Sequence, residues 1–183
     1  MVNTRDGTGQ EAPAALEPVR ALLNSWLIPN ESRQPTDEFD EFAAAQGWTG
    51  RDSAQVRELR DDLRPMVETG HAEADVLNRW IATSGLRPAV YEGPAVHGST
   101  VVYRHDGGSA GRLLAAVVTA IGDGSWRRLK ACPDCRWVFY DNTRNGGKRW
   151  CLMYAGGPDG RACGTIAKVR RYRDRQAAAG PAA

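Results

Sequence analysis

Four cysteines, Cys132, Cys135, Cys151 and Cys163, carry the clearest chemistry in this 183-residue chain. Their spacing is Cys-x2-Cys-x15-Cys-x11-Cys, and no cysteine precedes them. A Cys-x2-Cys turn brings two thiolates close enough to share one tetrahedral ion, and zinc takes four such ligands at about 2.3 Å. Pro133 and Asp134 suit the tight knuckle between the first pair. The second pair is separated by a loop containing Gly156, Gly157, Pro158 and Gly160. Lengthening such a loop from about four to eleven residues costs only about 0.9 kcal/mol of closure entropy. A structural zinc contributes about 10–16 kcal/mol in small fingers, so the long loop is no obstacle.

Disulfide scaffolds are usually secreted and stapled along their whole length. These cysteines are clustered, and the N-terminus carries no hydrophobic signal core. The pattern therefore reads as a structural zinc site, with a redox pair at Cys132–Cys135 as the alternative. A catalytic zinc would keep an open position and use His or carboxylate ligands. His71, His97 and His105 all lie outside the cysteine segment and read as surface or loop residues.

The charge is divided in the same place. Residues 126–183 hold 13 basic and 4 acidic residues, a net +9, whereas residues 1–125 carry a net −7. An acidic body with a basic end implies two tasks. The basic end is suited to a polyanion or to the acidic body itself. Lys130, Arg136, Lys148 and Arg149 flank the ligands and are expected to offset the charge of four thiolates around Zn2+. After Cys163, the residues Lys168, Arg171 and Arg175 fall on one helical face, and Arg170 and Arg173 broaden the positive surface. Ile166, Val169 and Tyr172 are expected to anchor this helix to the zinc core. Such a helix suits a nucleic-acid groove, with Arg144, Lys148 and Arg149 on phosphates.

The elements that position this module are legible from periodicity. Residues 12–28 place Leu16, Val19, Leu22, Leu23, Trp26 and Leu27 on one helical face, ending at Pro29-Asn30. Thr36 caps a second helix carrying Phe39 and Phe42 and closed by Gly47. A third helix over about 53–69 aligns Val56, Leu59, Leu63, Met66 and Val67, and Pro65 is expected to kink or shorten it. A fourth covers about 72–83, with Ala74, Val76, Leu77, Trp80 and Ile81. Residues 87–91 and 99–104 read as a hairpin turned at Gly93-Pro94 and Gly98. A fifth helix over 109–121 carries Leu113, Leu114, Val117, Val118 and Ile121, and Gly122-Asp123-Gly124 marks the junction with the cysteine segment. There, Trp137-Val138-Phe139-Tyr140 reads as a strand feeding a turn at 141–147.

The finger is similar to a known family. Cys132-Pro133-Asp134-Cys135-Arg136-Trp137-Val138-Phe139-Tyr140-Asp141, then Asn145-Gly146-Gly147-Lys148-Arg149-Trp150-Cys151-Leu152-Met153, then Cys163-Gly164-Thr165-Ile166-Ala167-Lys168-Val169-Arg170-Arg171 resemble the CGNR zinc-finger family. In that family the finger follows an ABATE domain. Val2-Asn3-Thr4-Arg5 and Val56-Arg57-Glu58-Leu59-Arg60 resemble that domain's opening motif and central helix. The chain departs from the family at Thr165-Ile166, where its name-giving motif has Asn-Arg, and in the longer loop before Cys163. The resemblance implies a stress-linked bacterial transcription regulator whose body senses a small-molecule effector not yet identified.

The resulting expectation is an α+β chain. A mostly helical N-terminal domain with a β-hairpin is followed by a small treble-clef-like zinc module and a basic C-terminal helix. Residues 1–124 form the ABATE-like sensing domain, 125–176 the CGNR-type finger and 177–183 a disordered tail. The expected partner is DNA, read through Arg144, Lys148, Arg149, Lys168, Arg170, Arg171, Arg173 and Arg175, with structural Zn2+ on Cys132, Cys135, Cys151 and Cys163. A homodimer on a two-fold site is a further expectation. The alternatives are a finger that binds an acidic protein, and an RNA-binding module in which Trp137, Phe139, Tyr140 or Trp150 stacks on bases. No catalytic triad, Cys-His pair, phosphate loop or spaced carboxylate dyad is present, so an enzyme is not expected. Arg57, Trp80, Tyr91 and Tyr103 are candidates for lining a ligand pocket, set against core packing for the aromatics and a solvated helix face for Arg57. The absence of a long apolar run excludes a membrane span, and a cytoplasmic location is expected.

Overall fold

The computed structural model describes residues 9–30, 32–92, 99–152 and 162–178. The Val2–Arg5 motif, the Gly93-Pro94 and Gly98 turn, His97, the glycine-rich loop at 156–160 and residues 179–183 lie outside them.

The body is built around α3 (Gly50–Thr69). Val56, Leu59, Leu63 and Met66 recur along one face and are completely or almost completely buried. Each large apolar side chain removed from water in this way contributes about 1.5–3 kcal/mol. Helix α3 runs through Pro65 without being shortened and ends at Gly70, whose φ of +73° supplies the left-handed turn that closes it. Against this axis pack α1 (Glu17–Leu23) and α5 (Gly108–Gly122). Helices α2 (Phe39–Ala45) and α4 (Ala74–Thr83) complete the layer, contributing Phe39, Ala43, Leu77 and Trp80 to one core.

Among the described residues, three two-stranded antiparallel sheets accompany the helices. The first pairs β1 (Trp26–Leu27) with β2 (Thr36–Asp37). The helix expected over 12–28 therefore stops early. Ser25 folds back to donate through both its N–H and its hydroxyl to the Leu22 carbonyl, and Trp26 leaves in an extended conformation. Thr36 lies in a strand and caps nothing; the Asp37 carboxylate accepts the Phe39 N–H at 3.0 Å instead.

The second hairpin pairs β3 (Arg87–Glu92) with β4 (Ser99–Arg104), as expected. It stands away from the core, with Val90, Tyr91 and Val101 exposed. Beyond it, Asp52 in the first turn of α3 accepts the Ser109 N–H at 2.9 Å and caps α5. Gly108 is required there: its φ is +56°, and a Cβ would meet the Asp52 carboxylate at 2.7 Å.

The third hairpin pairs β5 (Leu129–Ala131) with β6 (Val138–Tyr140), in the register Leu129↔Tyr140, Lys130↔Phe139 and Ala131↔Val138. Side chains alternate between the faces of a strand. Val138 and Tyr140, with Leu129, enter the core of the body. Phe139 enters a second, smaller core with the four cysteines. The hairpin is thus a partition with an apolar core on each side. Helix α6 (Cys163–Ala178) closes the described chain.

Candidate zinc centre and its basic surface

Each element delivers one part of the cysteine cluster. Cys132 follows β5, Cys135 closes the knuckle, Cys151 lies after the turn that follows β6, and Cys163 opens α6. In the knuckle, the Arg136 N–H donates to the Cys132 carbonyl at 2.8 Å and the Cys132 N–H donates to the Trp137 carbonyl at 2.9 Å. Arg136 takes a left-handed conformation, φ +60°, to make that turn. The four Sγ atoms lie within 4.8 Å of one another and all four residues are buried.

The Cys135 and Cys151 sulfurs are 3.5 Å apart, and those of Cys151 and Cys163 are 3.7 Å apart. Two ligands of a tetrahedral zinc at about 2.3 Å stand about 3.8 Å from each other, so the cluster has the dimensions of the ion's coordination shell. No disulfide joins any of the four. Left to themselves, the sulfurs cannot all ionise. Hydrogen bonds from Cys132, Cys151 and Cys163 hold the Cys135 thiol far below its usual range. Cys151 and Cys163, acting as donors to their neighbours, are pushed well above theirs. A divalent cation removes that conflict, because it stabilises every thiolate at once. Among the described residues no carboxylate or imidazole joins the cluster, and four sulfurs fill a closed structural shell.

The body holds the knuckle by its backbone. Arg64, buried on α3, donates to the Arg136 carbonyl at 2.9 Å and also to the carbonyls of Leu23 and Trp26. Burial lowers its pKa to about 10, which leaves it charged at neutral pH. Arg33 donates to the Asp134 carbonyl at 2.7 Å. Asn24 donates to the Val138 carbonyl at 2.8 Å and accepts the Val138 N–H at 2.7 Å. The Tyr140 N–H donates to the Gln10 carbonyl at 2.9 Å. Sequence reading missed all of these contacts.

The turn after β6 is organised by Asp141, which is fully buried. Its carboxylate accepts from Lys130 Nζ at 2.8 Å, from the Thr143 hydroxyl, and from the N–H groups of Thr143 and Lys148. Burial raises the pKa of this group, but these donors outweigh it and hold the carboxyl at about 2. Lys130 also donates to the carbonyls of Gly146 and Lys148. Lys130 therefore ties the turn together, and Arg136 faces Glu68 at 3.6 Å. Both cations therefore have carboxylate partners in addition to their place beside the thiolates.

Arg144, Arg149, Lys168, Arg170, Arg171, Arg173 and Arg175 are exposed, and Lys148 is half-buried. Among the described residues none of these eight pairs with a carboxylate. Arg149 lies over the Trp150 ring, 5.5 Å from its centroid, and Lys148 over Phe139 at 5.3 Å. Within α6 only Cys163 and Gly164 are buried. Ile166 is half-buried, but Val169 and Tyr172 are exposed at 43% and 57% and do not anchor the helix.

Trp137, Phe139 and Tyr140 are buried, which removes them as stacking platforms for bases; Trp150 is half-buried. In the body, the Trp80 indole N–H donates to Asp62 at 2.7 Å, Tyr91 lies on the outer hairpin, and Arg57 pairs with Asp37 and Asp40 over the Phe39 ring. None of Arg57, Trp80, Tyr91 and Tyr103 lines the cleft beside Met66 and Trp126 or the cleft beside Arg33 and Trp150.

Residues 128–176 match the family model of the CGNR zinc finger. No curated protein matches the chain. The four cysteines are a zinc-finger site, and structural Zn2+ fits them. No described helix is long and apolar enough to cross a membrane.

Proposed function

We propose that the chain is a zinc-dependent DNA-binding transcription regulator. The observation that carries this reading is the attachment of α6. The helix begins at the ligand Cys163, is buried only over its first two residues, and from Lys168 onward presents its cations to solvent. A zinc ligand at a helix start fixes the direction of that helix, as a groove-binding element requires. We read the knuckle at the tip of the β5–β6 hairpin, followed by α6, as a treble-clef-like module. In this reading Zn2+ holds the scaffold, α6 enters a groove or follows the backbone, and Arg144, Lys148 and Arg149 contact phosphates. Residues 1–124 act as the regulating part, sense a small ligand and bring two copies together, and nothing in the chain is catalytic.

If about five phosphates are neutralised, log affinity for duplex DNA falls with log salt at a slope near −4.5. Fluorescence anisotropy of the zinc-loaded protein measures that slope. Unchanged binding after the metal has been stripped would contradict the role given to zinc. Binding of single-stranded RNA in strong preference to duplex would favour an RNA module resting on Trp150.

A further inference from the structure

One cleft of about 390 Å³ is bounded by parts of both the body and the zinc module. Its lining includes Arg33 from the β1–β2 connection, Arg149 and Trp150 from the finger, and Arg170 and Arg171 from α6. The one carboxylate among its lining residues is Asp134. Four guanidinium groups against one carboxylate leave the cleft strongly positive, and its volume suits a nucleotide-sized group better than a bare ion.

Arg33 is the unexpected member. It takes a left-handed φ of +55°, which a side chain other than glycine rarely adopts, and such conformations persist where the surroundings enforce them. Its Nη2 donates to the Asp134 carbonyl at 2.7 Å and forms a long ion pair with the Asp134 carboxylate at 3.8 Å. Its Nη1 is buried with no hydrogen-bond partner among the described residues. The guanidinium is thus held in place by Asp134, through its carbonyl and a long ion pair, with its side chain one-third exposed. Beside Arg149, Arg170 and Arg171 it adds to a cluster of forks that matches a phosphate.

We infer that this cleft seats a backbone phosphate of nucleic acid, and that Arg33 makes the acidic body part of the DNA interface. The inference rests on the DNA-binding reading above. It adds a contact outside the finger and a physical link between the β1–β2 connection and bound DNA.

The test compares the wild type with Arg33→Gln, Arg33→Lys and Arg175→Gln, all zinc-loaded, on one duplex across a salt series. Zinc content and thermal midpoint are checked for each. The expected result for Arg33→Gln is a salt slope smaller in magnitude by about 1 and binding weaker by roughly tenfold at low salt. Arg33→Lys keeps the charge and is expected to restore the slope, which a purely structural role for Arg33 would not produce. If Arg33→Gln binds as the wild type does while Arg175→Gln loses about one unit of slope, the cleft is not a phosphate seat and the DNA reading stands. If the wild type binds no duplex even at low salt, both readings fall. If a poly-glutamate peptide displaces the duplex at equal charge concentration, the cleft recognises acidic protein and the phosphate assignment is overturned.

Discussion

Asn24 pairs with Val138 as a neighbouring strand would. Its side-chain amide donates to the Val138 carbonyl at 2.8 Å and accepts the Val138 N–H at 2.7 Å, with all four groups buried. A residue just past the end of α1 thereby completes the ladder of β6, the strand that separates the two cores. Truncation to Asn24→Ala would leave the buried Val138 N–H unsatisfied and its carbonyl with only the long bond from Arg20 Nη1 at 3.4 Å, at about 1–3 kcal/mol for a fully orphaned group. We expect this variant to lose about 2–4 kcal/mol in urea unfolding and to release zinc faster to a chelator. Unchanged stability would mean that water replaces the amide.

Because one hairpin faces both cores, metal removal is expected to reach the body. Phe139 packs with the cysteines, and Val138 and Tyr140 pack with Leu129 and Trp126. Chelation should therefore shift the fluorescence of Trp126 as well as that of Trp137, in variants that retain one of these indoles and replace the other five tryptophans by phenylalanine. Each Cys→Ser variant should reproduce the shift. A change confined to Trp137 would show that the finger unfolds alone.

Asp141 predicts a pH dependence with a definite sign. Its carboxyl is held at about 2 in the folded chain, below the ordinary 3.8. A depressed folded-state pKa contributes stability above the unfolded value, and that stability is lost as pH falls through the folded one. The wild type should exceed Asp141→Asn by about 2 kcal/mol near neutrality. The difference should shrink between about pH 5 and pH 2. Urea midpoints of the two proteins, measured in parallel across that range, test this; a constant difference would contradict it.

Arg64 is expected to be as consequential as a core leucine. It is charged, nearly buried, and bonded to three carbonyls, including that of Arg136 in the knuckle. Arg64→Met removes the charge along with the donors but leaves the carbonyls of Leu23, Trp26 and Arg136 short of a partner. We predict a loss of about 2–4 kcal/mol and weaker zinc retention. Zinc affinity equal to the wild type would show that the knuckle carries itself.

The zinc ligands, the helices α3 to α5 and the three strands at Arg87, Ser99 and Val138 were legible because each follows a local rule: ligand spacing, or a period of 3.6 or 2. What was not legible depends on contacts between distant parts of the chain. Trp26 and Leu27 continue the apolar pattern of α1, yet they leave it as a strand because Ser25 turns back on Leu22. Arg60 and Arg64 fall outside the apolar positions of the α3 pattern and carry no local signal of burial. They are buried because their forks reach Asp37 and the free carbonyls of other segments. Val169 and Tyr172 read as anchors by composition, but α6 leaves the zinc core after its first turn. Arg33 gave no local signal beyond its charge, since its importance lies in where its loop meets the knuckle.

The central claim is that a zinc-fixed basic helix reads DNA. The most direct measurement is selection from a pool of genomic DNA fragments by the zinc-loaded protein, followed by sequencing, at near-physiological salt. The account predicts enrichment of a defined motif that disappears when Lys168 and Arg171 are both changed to alanine. A folded, zinc-loaded protein that enriches no motif would contradict it.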